Sequence, residues 1–165
     1  MPRTISDTAL AKIKEWEGLI LYAYDDLDPQ RPPRRIMPDD PVRGMLTIGY
    51  GHTGTARPGL EINERHAAAL LRRDLRTAEA AVERLVEVPL NDNQFGALVS
   101  FCFNVGAGAF STSTLLRRLN AGEYEAVPEE LARWVYSGIK KLTGLVRRRR
   151  EEGRLWNARP THCNL

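Results

Sequence analysis

Apolar positions along the chain follow two rhythms. In "ISDTALAKIKEWEG", residues 5 to 18, Leu10, Ile13 and then Trp16 or Glu17 recur at helical spacing. Ser6 or Thr4 stands where such a helix is capped, Ile5 is placed to staple onto Leu10, and Gly18 sits where helices stop. The rhythm then shortens: "LILYAYD" alternates in strand fashion, and "MLTIGYGHTG" is a second strand-like stretch loosened by glycines. Between them, "LDPQRPPRRIMPDDPVRG" holds five of the ten prolines, which predicts an exposed loop. From Asn63, a cap, Leu71, Leu75, Ala78, Val82 and Leu85 follow at spacings of four, three, four and three, which predicts one long helix. "LNDNQFGALVSFCFNVGAG" reads as a buried helix capped by Asn91 or Asp92, with Phe95, Leu98, Val99, Cys102 and Phe103 inward. Shorter helices are expected over 113–120, 129–136 and 145–156, with glycines 122, 138 and 144 as punctuation.

These elements predict an α+β fold, mainly helical. It has a small β-hairpin lobe with a proline-rich loop at about 27–45, a long linking helix and a helical C-terminal lobe. A cleft between two such lobes suits a polymer substrate. The 165 residues fit a single domain, 1–165, and 42% hydrophobic with 27% charged residues is ordinary for a soluble globular chain. A net charge of +3 and a pI of about 9.1 suit a polyanionic partner without choosing among nucleic acid, membrane surface and cell wall. Cys102 reads as a small core residue and Cys163 as a mobile surface thiol, not a disulfide framework. The start, "MPRTISDTAL", lacks the apolar stretch of a signal peptide, so the expectation is a protein held in the cytoplasm without stable membrane insertion.

Three carboxylates draw attention. Glu17 falls in the last turn of its helix, at the negative end of the helix dipole, between Trp16 and Leu19. Both surroundings disfavour its ionised form, which suits a proton donor to a leaving oxygen; a surface Glu at a frayed helix end is the competing reading. Asp25 and Asp26, where a strand runs into a polar loop, are better solvated and stay ionised. Carboxyls in contrasting surroundings are how glycosidases separate acid from base.

The set formed by "WEG", eight intervening residues from Glu17 to Asp26, and "TIGYGHTG" at 47–54 resembles the phage lysozymes, the muramidase endolysins of glycoside hydrolase family 24. "LNDNQFGALVSFCFNVGAGAFSTSTLLRRLN" and "GLVRRRREEGRLW" resemble that family's core and C-terminal helices, so the likeness spans most of residues 5 to 156. The resemblance implies hydrolysis, with inversion, of the β-1,4 bond between N-acetylmuramic acid and N-acetylglucosamine. Glu17 is implied as the acid, and Asp26 with Thr47 as the holders of the water. It also implies substrate contacts from Gly49, Gly51, His52 and Asn104, with His52 equally readable as a buried histidine bonded to backbone. Arg148 is implied as the residue that orients Glu17, and no metal or other cofactor is called for.

Two features stand apart from that pattern. Asp26 and Thr47 are separated by twenty residues where the family leaves about five, which keeps Asp25, Asp28, Asp39 and Asp40 as rivals of Asp26. Loop residues Arg31, Arg34, Arg35 and Arg43 are placed to touch peptide stems or phosphates. In "RRRR", 147 to 150, a solvated face partnered by Glu151 and Glu152 is expected for at least three of the four, and nucleic-acid binding is not, for want of interleaved aromatics. Two other functions compete. A lytic transglycosylase closing a 1,6-anhydro ring has no use for a water-holding pair, and a wall-binding module has no use for all three catalytic residue types. The family further implies a monomer that reaches peptidoglycan, in the periplasm and cell wall, once a holin has breached the membrane.

Overall fold

The computed structural model describes residues 1 to 160. Cys163, read above as a surface thiol, lies outside them. Helices dominate, with small antiparallel sheets, and the elements fall into two compact units: residues 13–74, and residues 1–12 together with those from 75 onward.

Helix α1 (Asp7–Glu17), whose residues divide between the two units, delivers Glu17 to the first at its C-terminus. Its start is capped by Ser6, whose Oγ accepts the Ala9 N–H at 3.2 Å, and its end by Gly18 at φ +72°. Strand β1 (Ile20–Asp25) pairs antiparallel with β2 (Leu46–Gly49), with Tyr24 opposite Thr47, Asp25 opposite Leu46, and a register shift between Ile20 and Tyr24. Alternation turns Ala23 and Ile48 into a core with Ile62, Ala67 and Leu70, the last two from helix α2 (Glu64–Leu85). Asn63 caps α2 through the His66 N–H at 2.8 Å, and the residues of α2 divide between the two units.

The proline-rich segment is more ordered than an exposed loop. Pro33 and Ile36 are buried, and Ile36 exchanges backbone bonds with Ala23 (2.8 Å) and Gly59 (2.7 Å). Asp28 accepts the N–H groups of Gln30 and Arg34, and Asp40 accepts that of Met37. These bonds hold both carboxyls below the usual range. Three of the four arginines expected to face substrate are engaged within this unit: Arg31 donates to the Asp28 and Gln30 carbonyls, Arg34 pairs with Asp40, and Arg35 bonds Glu61 and the Gly59 carbonyl.

The second unit is helical. Helix α3 (Asp92–Val105) begins in a capping box between Asn91 and Gln94, and every residue from Phe95 to Cys102 is buried. Phe101, absent from the expected inward set, is fully buried and meets Phe110 and Trp134 edge-on, whereas Phe103 is only half-buried. A helix this dense in apolar residues offers little periodicity from which to choose its faces. Burial pushes the Cys102 thiol up to about 11. A Cβ on Gly96 would stand 2.5 Å from that of Ala9, so only glycine lets α3 lie this close to the start of α1. Helices α4 (Ala107–Ser111), α5 (Thr114–Asn120), a 3-10 turn at Tyr124–Ala126, α6 (Val127–Leu131) and α7 (Thr143–Asn157) follow.

One helix differs from expectation. In place of a helix over 129–136, Pro128 starts α6 earlier and the helix ends at Leu131. Tyr136–Ser137 (β3) then pairs with Lys140–Lys141 (β4) in a hairpin, whose turn has Gly138 at φ +59°.

Candidate active site

Six of the expected site residues, Glu17, Asp26, Thr47, Gly49, Gly51 and His52, come together in the first unit, and Asn104 and Arg148 belong to the second. Glu17 is half-buried, and its Oε2 lies 3.7 Å from the position a Cβ on Gly51 would take. The exposed backbone of Gly51, at φ +82°, therefore runs beside that carboxylate.

The neighbouring carboxyls Asp25 and Asp26 lead opposite lives. Asp25 is buried, and its oxygens accept N–H bonds from Arg43 (2.6 Å), Leu27 (3.0 Å) and Gly44 (3.0 Å). The bonds from Arg43 and Leu27 hold its carboxyl below the usual range, so it is spent on closing the loop. Asp26 is exposed, and among the described residues only its Oδ1 is bonded, to the Met45 N–H at 2.7 Å. Thr47 is buried, and its Oγ1 donates to the Met45 carbonyl at 3.2 Å; the same carbonyl accepts the Asp26 N–H at 3.1 Å. Both peptide groups of Met45 thus brace the two side chains against each other. Gly44 leaves the two carboxylates their places, since a Cβ would fall 2.1 Å from Asp26 Oδ1 and 2.7 Å from Asp25 Oδ1 and force them to shift.

Tyr24, opposite Thr47, feels the charge of both carboxylates. Burial first, then the charges of Asp26 and Glu17, push its phenol up, and Arg31 opposes them. Tyr24, Asp26, Arg31, Ile20 and Pro33 line a cavity of about 220 Å³. Neither Tyr24 nor the wall built by the proline-rich segment carries a signal in sequence, because a strand tyrosine and a loop arginine are common and only folding places them beside Asp26.

Three expectations change. Gly49, at φ +68°, is buried, and its missing side chain makes room for Ala67 (3.3 Å to its Cβ) rather than for a sugar. His52, expected to touch substrate, spends both ring nitrogens inside the unit: Nδ1 faces Asp74 Oδ2 at 2.7 Å, and Nε2 accepts the Thr55 N–H at 3.0 Å. That bond places the proton on Nδ1, and the ring clasps the turn after β2 to α2. In "RRRR", Arg148 and Arg149 are both buried, leaving two solvated arginines instead of three. The cause is Glu152, wholly buried one turn later, which Arg148 Nε reaches at 3.2 Å and Arg149 also pairs with. Arg148 further donates to the Ser100 carbonyl, and Arg149 to Asn104 Oδ1 and the Trp134 carbonyl. Asn104 itself is exposed, with its amide oriented by Arg149, a residue sequence reasoning passed over. Among the described residues no His, Cys, Asp and Glu group converges on a metal site.

Comparison with known proteins gives consistent matches. The family described as Phage lysozyme matches residues 14–152. The SAR-endolysin of Escherichia phage Mu is 44% identical over 123 residues, 74% of this chain and 72% of its own length. The endolysin of Salmonella phage P22 is 38% identical over 152 residues, 89% and 94% of the two chains. Among solved structures, the muramidase domain of SpmX from Asticaccaulis excentricus superposes with a TM-score of 0.80 at 38% identity, covering 95% of this chain and 99% of that one.

Proposed function

Because the chain belongs to the phage lysozyme family, we propose that it cleaves the β-1,4 bond between N-acetylmuramic acid and N-acetylglucosamine with inversion, using Glu17, Asp26 and Thr47. The coarser activity follows from the family: the protein is a peptidoglycan-degrading endolysin of the lysozyme class, acting on the bacterial cell wall. We read its two units as one catalytic domain.

In this mechanism Glu17 gives its proton to the glycosidic oxygen, which leaves with the electron pair of its bond to the sugar carbon. A water on the opposite face of the ring attacks that carbon and passes a proton to Asp26, while the Thr47 hydroxyl fixes its position. Solvent then returns Glu17 and Asp26 to their starting states. Inversion requires the carboxyls to stand about 6.5–9.5 Å apart, with room for that water.

The observation that carries the assignment is the bracing of Asp26 and Thr47 through Met45, beside an Asp25 consumed by the loop backbone. Asp26 keeps Oδ2 available for water, and Asp25 does not. Digestion of purified sacculi followed by mass spectrometry of the muropeptides is the direct test. Wild type releases products with free reducing ends, and Asp26→Asn lowers their release by about a hundredfold or more. Asp25→Asn instead lowers the melting temperature and spares most of the rate. Anhydro-muramyl products would overturn hydrolysis, and a fully active Asp26→Asn would return the water-holding role to another group.

For the route to the wall we propose passage from the cytoplasm through a holin lesion. Expression in a susceptible host without a holin is expected to leave cells intact until the membrane is permeabilised. Lysis on expression alone would favour the different export route to which SAR-endolysin names point.

A further inference from the structure

The helical unit carries a surface that neither its core nor the proposed chemistry uses. The β3–β4 hairpin holds Ile139 fully outward, at 102% exposure, and Tyr136 at 58%. Beside it lies a groove of about 640 Å³ with an apolar floor that includes Ala132, Val135 and Val146, rimmed by Lys141 and Arg150. An outward isoleucine and tyrosine next to an apolar groove form a patch of the kind that marks an interaction surface.

The charged residues that line this groove, Lys141, Arg149, Arg150 and Arg154, have one sign. Lys140, Lys141, Arg147 and Arg150 have no carboxylate within ion-pair distance among the described residues. Arg147 and Arg150 are three apart on α7 and therefore share a face, and Arg150 and Lys141 both line the groove. The only acid exposed to this stripe from α7 itself, Glu151, is taken by Arg154.

We propose that this face docks the enzyme peripherally on an anionic phospholipid surface, with Ile139 and Tyr136 entering the headgroup region and the four cations over the phosphates. Cations flanking outward apolar side chains are the composition of an interfacial anchor. A polyanionic polymer would satisfy the charges but offer Ile139 and Tyr136 nothing. No helix among the described residues is long and apolar enough to cross a membrane, so the contact is with the surface. The inference stands independently of the roles of Glu17, Asp26 and Thr47.

Co-sedimentation with vesicles tests it, comparing phosphatidylcholine alone with phosphatidylcholine containing about a third phosphatidylglycerol. Wild type is expected to bind only the anionic vesicles, and less as salt rises. Two double variants, Tyr136→Ser with Ile139→Ser and Lys141→Glu with Arg150→Glu, each weaken binding at least tenfold while sacculus hydrolysis and circular dichroism stay unchanged. Arg76→Glu, a charge change elsewhere on the surface, has little effect. The proposal falls if wild type does not bind, if Arg76→Glu weakens binding as much as the groove variants, or if the Ser variant binds like wild type. It falls equally if dextran sulfate is bound as well as the vesicles and without dependence on Ile139, which would make the face a polyanion site.

Discussion

Glu17→Gln is expected to lower kcat on peptidoglycan roughly a thousandfold, about 4 kcal/mol of transition-state stabilisation, with little change in KM. Gln has the same length and keeps the hydrogen-bonding capacity of the half-buried position at the end of α1, but it has no proton to give to the leaving oxygen. The loss should therefore appear in the chemical step. Glu17→Asp retracts the carboxyl from the Gly51 backbone by one methylene and should recover only part of the rate. Turbidity clearing of sacculi across pH, with melting temperatures as a check on folding, decides the matter. A Gln variant with more than about a tenth of wild-type activity would remove Glu17 from the acid role.

Glu152→Ala is expected to destabilise the protein by about 3–5 kcal/mol, a fall of roughly 10 °C in Tm. The Glu152 side chain is 0% exposed, and the Arg148 and Arg149 guanidiniums that meet it are 8% and 1% exposed. Burial already pulls Arg149 below the ordinary arginine range, opposed by the charge of Glu152. Removing the carboxylate leaves two buried cations facing each other and takes from the Ser100 hydroxyl its acceptor at 2.7 Å. Glu151, one residue earlier, pairs with a largely exposed Arg154, and Glu151→Ala should change stability by less than about 0.5 kcal/mol. Urea unfolding of the two variants makes the comparison. Equal effects would mean that the buried cluster contributes no more than a surface pair.

The contrast between Glu151 and Glu152 shows where reading from sequence stops. A run of four arginines followed by two glutamates has the composition of a solvated helix face, and i,i+4 spacing supports that reading. What overrules it is the rotation of α7 against α3, which turns positions 148, 149 and 152 inward. At the end of β1 the limit is similar. Alternation requires Asp25 and Asp26 to face opposite ways, but which one turns inward depends on the N–H groups of Arg43 and Gly44, eighteen and nineteen residues away.

Sequence by itself determined what short-range physics controls. Helix starts at Ser6, Asn63, Asn91 and Ser113 follow from side chains that cap backbone N–H groups within three residues. The two strands and the long α2 follow from periods of two and of about 3.6, and the spacing of "WEG", Asp26 and "TIGYGHTG" led to the family. Tertiary structure alone decided which carboxylate is spent and which is available, that Gly49 is a packing residue and His52 a clasp, and that a proline-rich segment folds into a wall of the cavity beside Asp26. Asp25, His52 and the proline-rich wall depend on polar groups finding partners far along the chain, and Gly49 on close packing against Ala67; both kinds of contact exist only once the elements have packed.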